Sequence, residues 1–163
     1  MRRICKIAAI LSLFITFNTN GIQASNPIDS LQNVLKKATG DEKINTLMNL
    51  SQSQSENNFS QALKTANETV DLAKKTNSTL YCKSLENLGL LYQKTCNYES
   101  AIFFFKKTLD NKKSEERIAI ILNNVGSCYA ELGKFDTALV YHTQAYKISE
   151  TIGDKKGTAL AIT

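Results

Sequence analysis

The chain has 163 residues, 42% apolar and 21% charged, a composition that fills one packed domain and excludes a disordered tail. Seven Gly and one Pro are too few for the turns of an all-β sandwich, which leaves helix as the leading reading. One His, no Trp and four Cys without metal-ligand spacing supply little for hydrolase or zinc chemistry, and no apolar stretch reaches the ~20 residues of a membrane span.

The first element reads as an address. Arg2, Arg3 and Lys6 precede an apolar run over residues 7–17, then Asn18, Thr19, Asn20 and Gly21 break the helix and Ala24 offers a small residue for cleavage. That is the layout of a secretory signal peptide over residues 1–24, so export is predicted, with a periplasmic or extracellular mature chain. Ile22 is bulkier than the residue usual two places before a cut, and the alternative is a buried N-terminal helix or an uncleaved anchor. The segment carries three cations and no acid, so its removal lowers the formal charge from +5 to +2. The remaining lysine pairs, such as Lys74 with Lys75 and Lys106 with Lys107, are scattered near predicted helix ends, where the dipole suits cations. They form no concentrated basic face, and no nucleic-acid partner is expected.

Residues 25–40 are predicted as a leading helix. Asn26 caps it, Pro27 is its first residue, Ile28, Leu31, Leu35 and Ala38 share a face, and Gly40 ends it. Its place is against the open flank of a repeated helical array.

Three related segments come next, at 41–76, 77–113 and 114–152. Asn49, Leu50 and Ser51 recur as Asn87, Leu88 and Gly89, and again as Asn124, Val125 and Gly126, at spacings of 38 and 37 residues. The second copy continues with Tyr92, Tyr98, Ala101 and Phe105; the third with Tyr129, Gly133, Phe135, Ala138 and His142; the first is degenerate, with Phe59 and Ala62. Each copy reads as two amphipathic helices joined by a short turn, with Ile118, Ile121, Leu122, Val125 and Tyr129 at three- and four-residue steps and Gly133 fit for the left-handed turn. A glycine in mid-helix costs up to about 1 kcal/mol against Ala, so its use implies close approach. Gly89 is expected to meet Ala101, and Gly126 to meet Ala138, with large aromatics filling the groove beside each contact.

This pattern resembles the tetratricopeptide repeat, in its long bacterial form. Leu88, Gly89, Tyr92, Ala101 and Phe105 fit that family's motif, as do Gly126, Tyr129 and Ala138, while Leu85 and Leu122 replace its Trp and His142 replaces its second aromatic. The resemblance covers about residues 41–163 and implies an all-α, right-handed solenoid of about three repeats plus the truncated start of a fourth at 153–163. It implies a groove lined by first helices, hence by Asn45, Met48, Asn49 and Gln52, by Lys83, Glu86, Asn87, Leu90 and Gln93, and by Asn123, Asn124 and Ser127. The family's carboxylate clamp is not met, since Met48, Gln52 and Ile120 occupy its positions and Asn87 alone fits. Asn49, Asn87 and Asn124 share one repeat position and either contact a partner's backbone or bond within the stack.

No active site, cofactor or metal site is expected. His142 sits at a packing position, and Asp41 with Glu42 and Glu115 with Glu116 fit solvated helix starts. No structural disulfide is expected among Cys82, Cys96 and Cys128, read as small thiols. The function expected is an exported scaffold binding a protein or peptide. The alternative is the extracytoplasmic sensory region of a membrane-bound signalling protein, such as a sensor kinase or transcriptional regulator. Leu160 and Ile162 end the chain inside a predicted helix, read either as a fragment's edge or as a bare end that self-associates.

Overall fold

The computed structural model describes residues 27–111 and 114–153. The predicted signal segment and the predicted start of a fourth repeat lie outside the described residues. Seven helices and no strand occur among those described: α1 (Pro27–Leu35), α2 (Gly40–Gln54), α3 (Phe59–Thr76), α4 (Ser78–Lys94), α5 (Tyr98–Leu109), α6 (Glu115–Glu131) and α7 (Phe135–Thr151). This is the expected all-α architecture.

Local chemistry sets the helix starts. Asn58 Oδ1 accepts from the Gln61 amide at 3.0 Å, Asn77 Oδ1 from Thr79 and Leu80 at 2.9 and 3.2 Å, Asn97 Oδ1 from Ser100 at 3.2 Å, and Ser114 Oγ from Arg117 at 3.4 Å. Each satisfies amides that a helix leaves open in its first turn. The turns inside the second and third pairs share one geometry. The Lys134 amide donates to the Tyr129 carbonyl and the Asn97 amide to the Tyr92 carbonyl, with Gly133 at φ 75° and Cys96 at φ 59°. Glycine takes that left-handed position without a Cβ clash; Cys96 occupies it as a non-glycine residue. The leading helix ends at Leu35, earlier than predicted, and Gly40 begins α2 at φ 53° instead of closing α1.

The helices pack as successive antiparallel pairs, α2 with α3, α4 with α5 and α6 with α7, each second helix also meeting the next first helix. Ala62 and Ala66 of α3 are buried with Leu88 and Leu91 of α4, and Ala101, Ile102 and Phe105 of α5 with Ile121, Val125 and Cys128 of α6. The mid-helix glycines do create close approach, but toward rings. A Cβ on Gly89 would lie 2.5 Å from the Phe105 ring, and one on Gly126 would lie 2.9 Å from the His142 ring. The atoms nearest each missing side chain belong to the ring four residues beyond the expected alanine, because the ring reaches back along its own helix toward the N-terminus. In the first pair the same register positions hold Ser51 and Ala66, both fully buried, a larger first-helix residue and a smaller second-helix one.

The cysteine expectation holds for two of the three residues and is corrected at the third. Cys82 and Cys128 are free and buried, but Cys96 is disulfide-bonded.

Candidate interaction groove

A cleft of about 500 Å³ opens where the start of α1, the end of α2 with the turn after it, and the second half of α4 converge. Pro27 and Ile28 bound one side, Gln52, Ser53, Ser55, Glu56 and Asn57 another, and Asn87, Leu90, Leu91 and Lys94 the third. Leu90 is 38% exposed, while the other leucines of α4, Leu80, Leu85, Leu88 and Leu91, are buried. Around this apolar centre the polar groups are already tied together. Gln52 Nε2 donates to Asn87 Oδ1 at 2.9 Å, Asn87 Nδ2 donates to Ser51 Oγ at 2.7 Å, and Ser51 Oγ donates onward to the Met48 carbonyl at 2.7 Å. At the mouth, the Lys94 ammonium donates to Ser55 Oγ at 3.0 Å and pairs with Glu56 at 3.4 Å, fixing the turn after α2 to the end of α4.

Of the sequence-predicted lining residues, Gln52, Asn87 and Leu90 reach this cleft. Asn87 is 3% exposed, so its amide serves the stack. Asn49 and Lys83 are exposed on α2 and α4, and Asn45 is exposed with its amide donating to the Asp41 carbonyl at 2.9 Å. Met48 is half-buried against the Ile44, Ala73 and Leu80 cluster, and Gln93 is half-buried near the end of α4. Glu86 is buried, its Oε2 2.8 Å from the Arg117 guanidinium of α6. Asn123, Asn124 and Ser127 are half-buried on α6; Asn123 Oδ1 lies 2.6 Å from His142 Nδ1, and Ser127 Oγ donates to the Asn123 carbonyl at 3.0 Å. Sequence reasoning missed the contributions of Pro27, Ile28 and the residues 55–57 turn. The Ser, Glu, Asn composition of that turn marks a loop, but only the folded chain brings it beside α4.

The second helices carry a different surface. Tyr92 stacks on Phe104 with centroids 5.5 Å apart, and at the same register one repeat later Tyr129 stacks on Tyr141 at 5.4 Å. Lys106 of α5 donates to the Tyr129 hydroxyl at 3.0 Å and lies 5.4 and 5.5 Å from the two tyrosine centroids. Its pKa is raised, first by the hydrogen bond to Tyr129 and then by that to Tyr141, against the opposing effect of burial. These ring pairs join first helix to second and hold the pair angle.

The titratable groups are tuned by packing. Burial lowers the His142 pKa, and burial, with a smaller push from Glu131, raises the Cys128 thiol to about 12, so that thiol stays protonated and unreactive at neutral pH. What the cleft offers is apolar contact framed by amide, hydroxyl and ion-pair groups, a surface for docking.

Residues 83–114 and 119–152 match the tetratricopeptide repeat family model. The chain therefore carries two tetratricopeptide repeats over those residues. Such repeats generally mediate protein–protein interaction. The crystal structure of BtubC (BKLC) from P. vanneervenii is similar in fold, with a TM-score of 0.67 and 19% sequence identity over 85% of this chain. The alignment takes in 59% of that longer chain. No curated protein matches the sequence. Among the described residues no helix is long and apolar enough to cross a membrane.

Proposed function

We propose that the chain is an exported, non-catalytic scaffold whose groove binds a protein or peptide partner without a cofactor. The observation that carries this reading is the cleft between α1, α2 and α4, where Leu90 stands exposed beside the Gln52 amide. A partner's apolar side chain covers Leu90 while its backbone meets the amide and hydroxyl rim, the usual division between affinity and orientation in peptide grooves. The exposed flank of α7 extends the reading to self-association at that end of the stack. Export rests on the basic, apolar and small-residue order of residues 1–24.

Selection from a displayed random-peptide library tests the groove. Peptides enriched on the chain should lose at least tenfold in affinity on Leu90→Glu, which places a charge at the apolar centre, and keep it on Lys83→Ala. Selected peptides that ignore Leu90→Glu sink the groove reading. Fusion of residues 1–40 to a reporter active only outside the cytoplasm tests export, and a silent reporter would refute it. The second reading, a sensory region of a membrane-bound signalling protein, is tested by the coding sequence after codon 163: further repeats and an apolar stretch of ~20 residues would support it.

A further inference from the structure

Two ring stacks at one repeat register carry different chemistry. Tyr92 stacks on Phe104 in the second helix pair and Tyr129 on Tyr141 in the third, with centroids 5.5 and 5.4 Å apart. A ring without a hydroxyl holds the first stack, so packing does not require the hydroxyl of Tyr141. The preceding second helices differ as well. Asn67 of α3 turns its amide to the Leu63 carbonyl of its own helix at 2.8 Å, whereas Lys106, at the same register of α5, crosses to the following stack. Its ammonium lies 3.0 Å from the Tyr129 hydroxyl and 5.4 and 5.5 Å from the two centroids, which puts it at the hydroxyl edge of the stack and not over a ring face. Since the ammonium donates, each phenol oxygen accepts, and neither O–H has an acceptor among the described residues.

We propose that this edge binds a carboxylate, and that its ligand is an acidic segment of a protein or peptide partner. Lys106 and the two phenols bring their donors to one spot, and an O–H whose oxygen already accepts from an ammonium donates more strongly. The surrounding charge is one-sided. Lys134 lies 6.0 Å from the Tyr129 centroid, and Lys107 lies 5.9 Å from that of Phe103, which is 59% exposed on α5. Among the described residues none of these three lysines pairs with a carboxylate. Glu131 instead accepts from the Tyr98 hydroxyl at 3.2 Å, and Asp136 shares a shallow hollow with Tyr141 without pairing to a lysine. The donor set selects carboxylate over phosphate: one ammonium stands within hydrogen-bond reach and no guanidinium fork joins it, since Arg117 is held by Glu86. Phe103 gives an apolar neighbour of the acid its contact. Phe104, at the register of Tyr141, packs back on Leu88 and Leu91 although α6 and α7 follow it, so the site belongs to the junction between helix pairs and not to the end of the stack. It shares no residue with the cleft beside Leu90.

Fluorescence anisotropy of the full chain with a labelled peptide of alternating Glu and Leu reads the site. That peptide should bind with a Kd below about 1 mM, and its counterpart with Gln for Glu about tenfold more weakly. Lys106→Ala should weaken the Glu peptide about tenfold. Tyr129→Phe and Tyr141→Phe should each weaken it about threefold with helicity unchanged, because Phe104 keeps its stack without a hydroxyl. Lys74→Ala, which removes the same charge from an exposed place on α3, should leave binding unaltered. In NMR spectra the ring signals of Tyr129 and Tyr141 should move with sodium acetate and stay in place with sodium chloride at equal ionic strength. No binding, equal binding of the Gln peptide, equal losses in Lys74→Ala and Lys106→Ala, phenylalanine variants that bind like the parent, or ring signals indifferent to acetate would each overturn the proposal. Stronger displacement of the peptide by inorganic phosphate than by acetate would overturn it too, in favour of a phosphoryl ligand. Groove peptides that depend on Leu90 should still bind the Lys106→Ala chain, so a failure here leaves the groove reading standing.

Discussion

The junction between the first and second helix pairs and the junction between the second and third place their polar link at different positions of the repeat. At the first, Met48 and Leu80 belong to the apolar cluster around Ile44 and Ala73, and the polar link runs from Asn87 to Ser51 and Gln52. One repeat on, the places of Met48 and Leu80 hold Glu86 and Arg117, which form an ion pair at 2.8 Å. The places of Ser51 and Gln52 hold Gly89 and Leu90, whose side chains offer Asn124 neither donor nor acceptor. The polar link of the two junctions thus sits at different addresses, Asn87 with Ser51 and Gln52 in one and Glu86 with Arg117 in the other. A repeat stack accepts either arrangement provided that each polar group meets its partner within the same junction, since a buried group left unpaired costs more than an apolar pair.

The two mid-helix glycines differ in the same way, and this difference gives the largest expected effect. Gly89 faces Phe105, which is fully buried, so Gly89→Ala should overpack the second pair and cost about 2 to 3 kcal/mol in urea unfolding, even after the helix-propensity gain. Gly126 faces the half-buried His142 ring, which has room to swing outward, and Gly126→Ala should cost about 1 kcal/mol or less. Equal losses at the two sites would break the comparison. Next in size, Arg117→Ala leaves the Glu86 carboxylate buried without its cation and should cost about 2 kcal/mol. The paired change Glu86→Met with Arg117→Leu transplants the first junction's solution and should return stability to within about 1 kcal/mol of the parent. Smaller again, Asn87→Ala should cost about 1 kcal/mol by removing two cross-pair hydrogen bonds, while Asn124→Ala at the same register should stay within about 0.5 kcal/mol.

The smallest effect is on pH. His142 has a lower pKa folded than unfolded, because burial disfavours its cation. The unfolded chain therefore binds the proton more tightly, and stability that is full above the ordinary value of about 6.5 is lost as pH falls through the folded pKa. The thermal midpoint should drop between pH 7.5 and 5 more in the parent than in His142→Phe, a variant that borrows the ring found at Phe105. An identical pH profile in the two chains would remove His142 from the account.

Much of this architecture is legible in the sequence because it is periodic. The three- and four-residue spacing of Ile118, Ile121, Leu122, Val125 and Tyr129 marks an amphipathic helix wherever it occurs, and Gly133 marks its turn by a conformation other residues avoid. The ring four residues after each alanine is visible as a motif position, yet its contact with the glycine is not, since spacing gives the register but not how far a ring reaches back. Cys96 carries no such sign, since nothing in a cysteine's identity announces a left-handed turn or its disulfide.

The groove divides in the same manner. Repeat register puts Gln52, Asn87 and Leu90 on first helices, and the structure gathers those three at one cleft. Register does not tell that Asn87 is consumed inside the stack while Asn49 stays exposed, though both hold the same repeat position. The amino-acid order determined the helices, their pairing and their repeat, because backbone hydrogen bonding and apolar periodicity act within short stretches of chain. Which equivalent side chains meet a partner, and which reach solvent, was decided by the neighbouring repeat, because burial and hydrogen bonding depend on residues some 37 positions away.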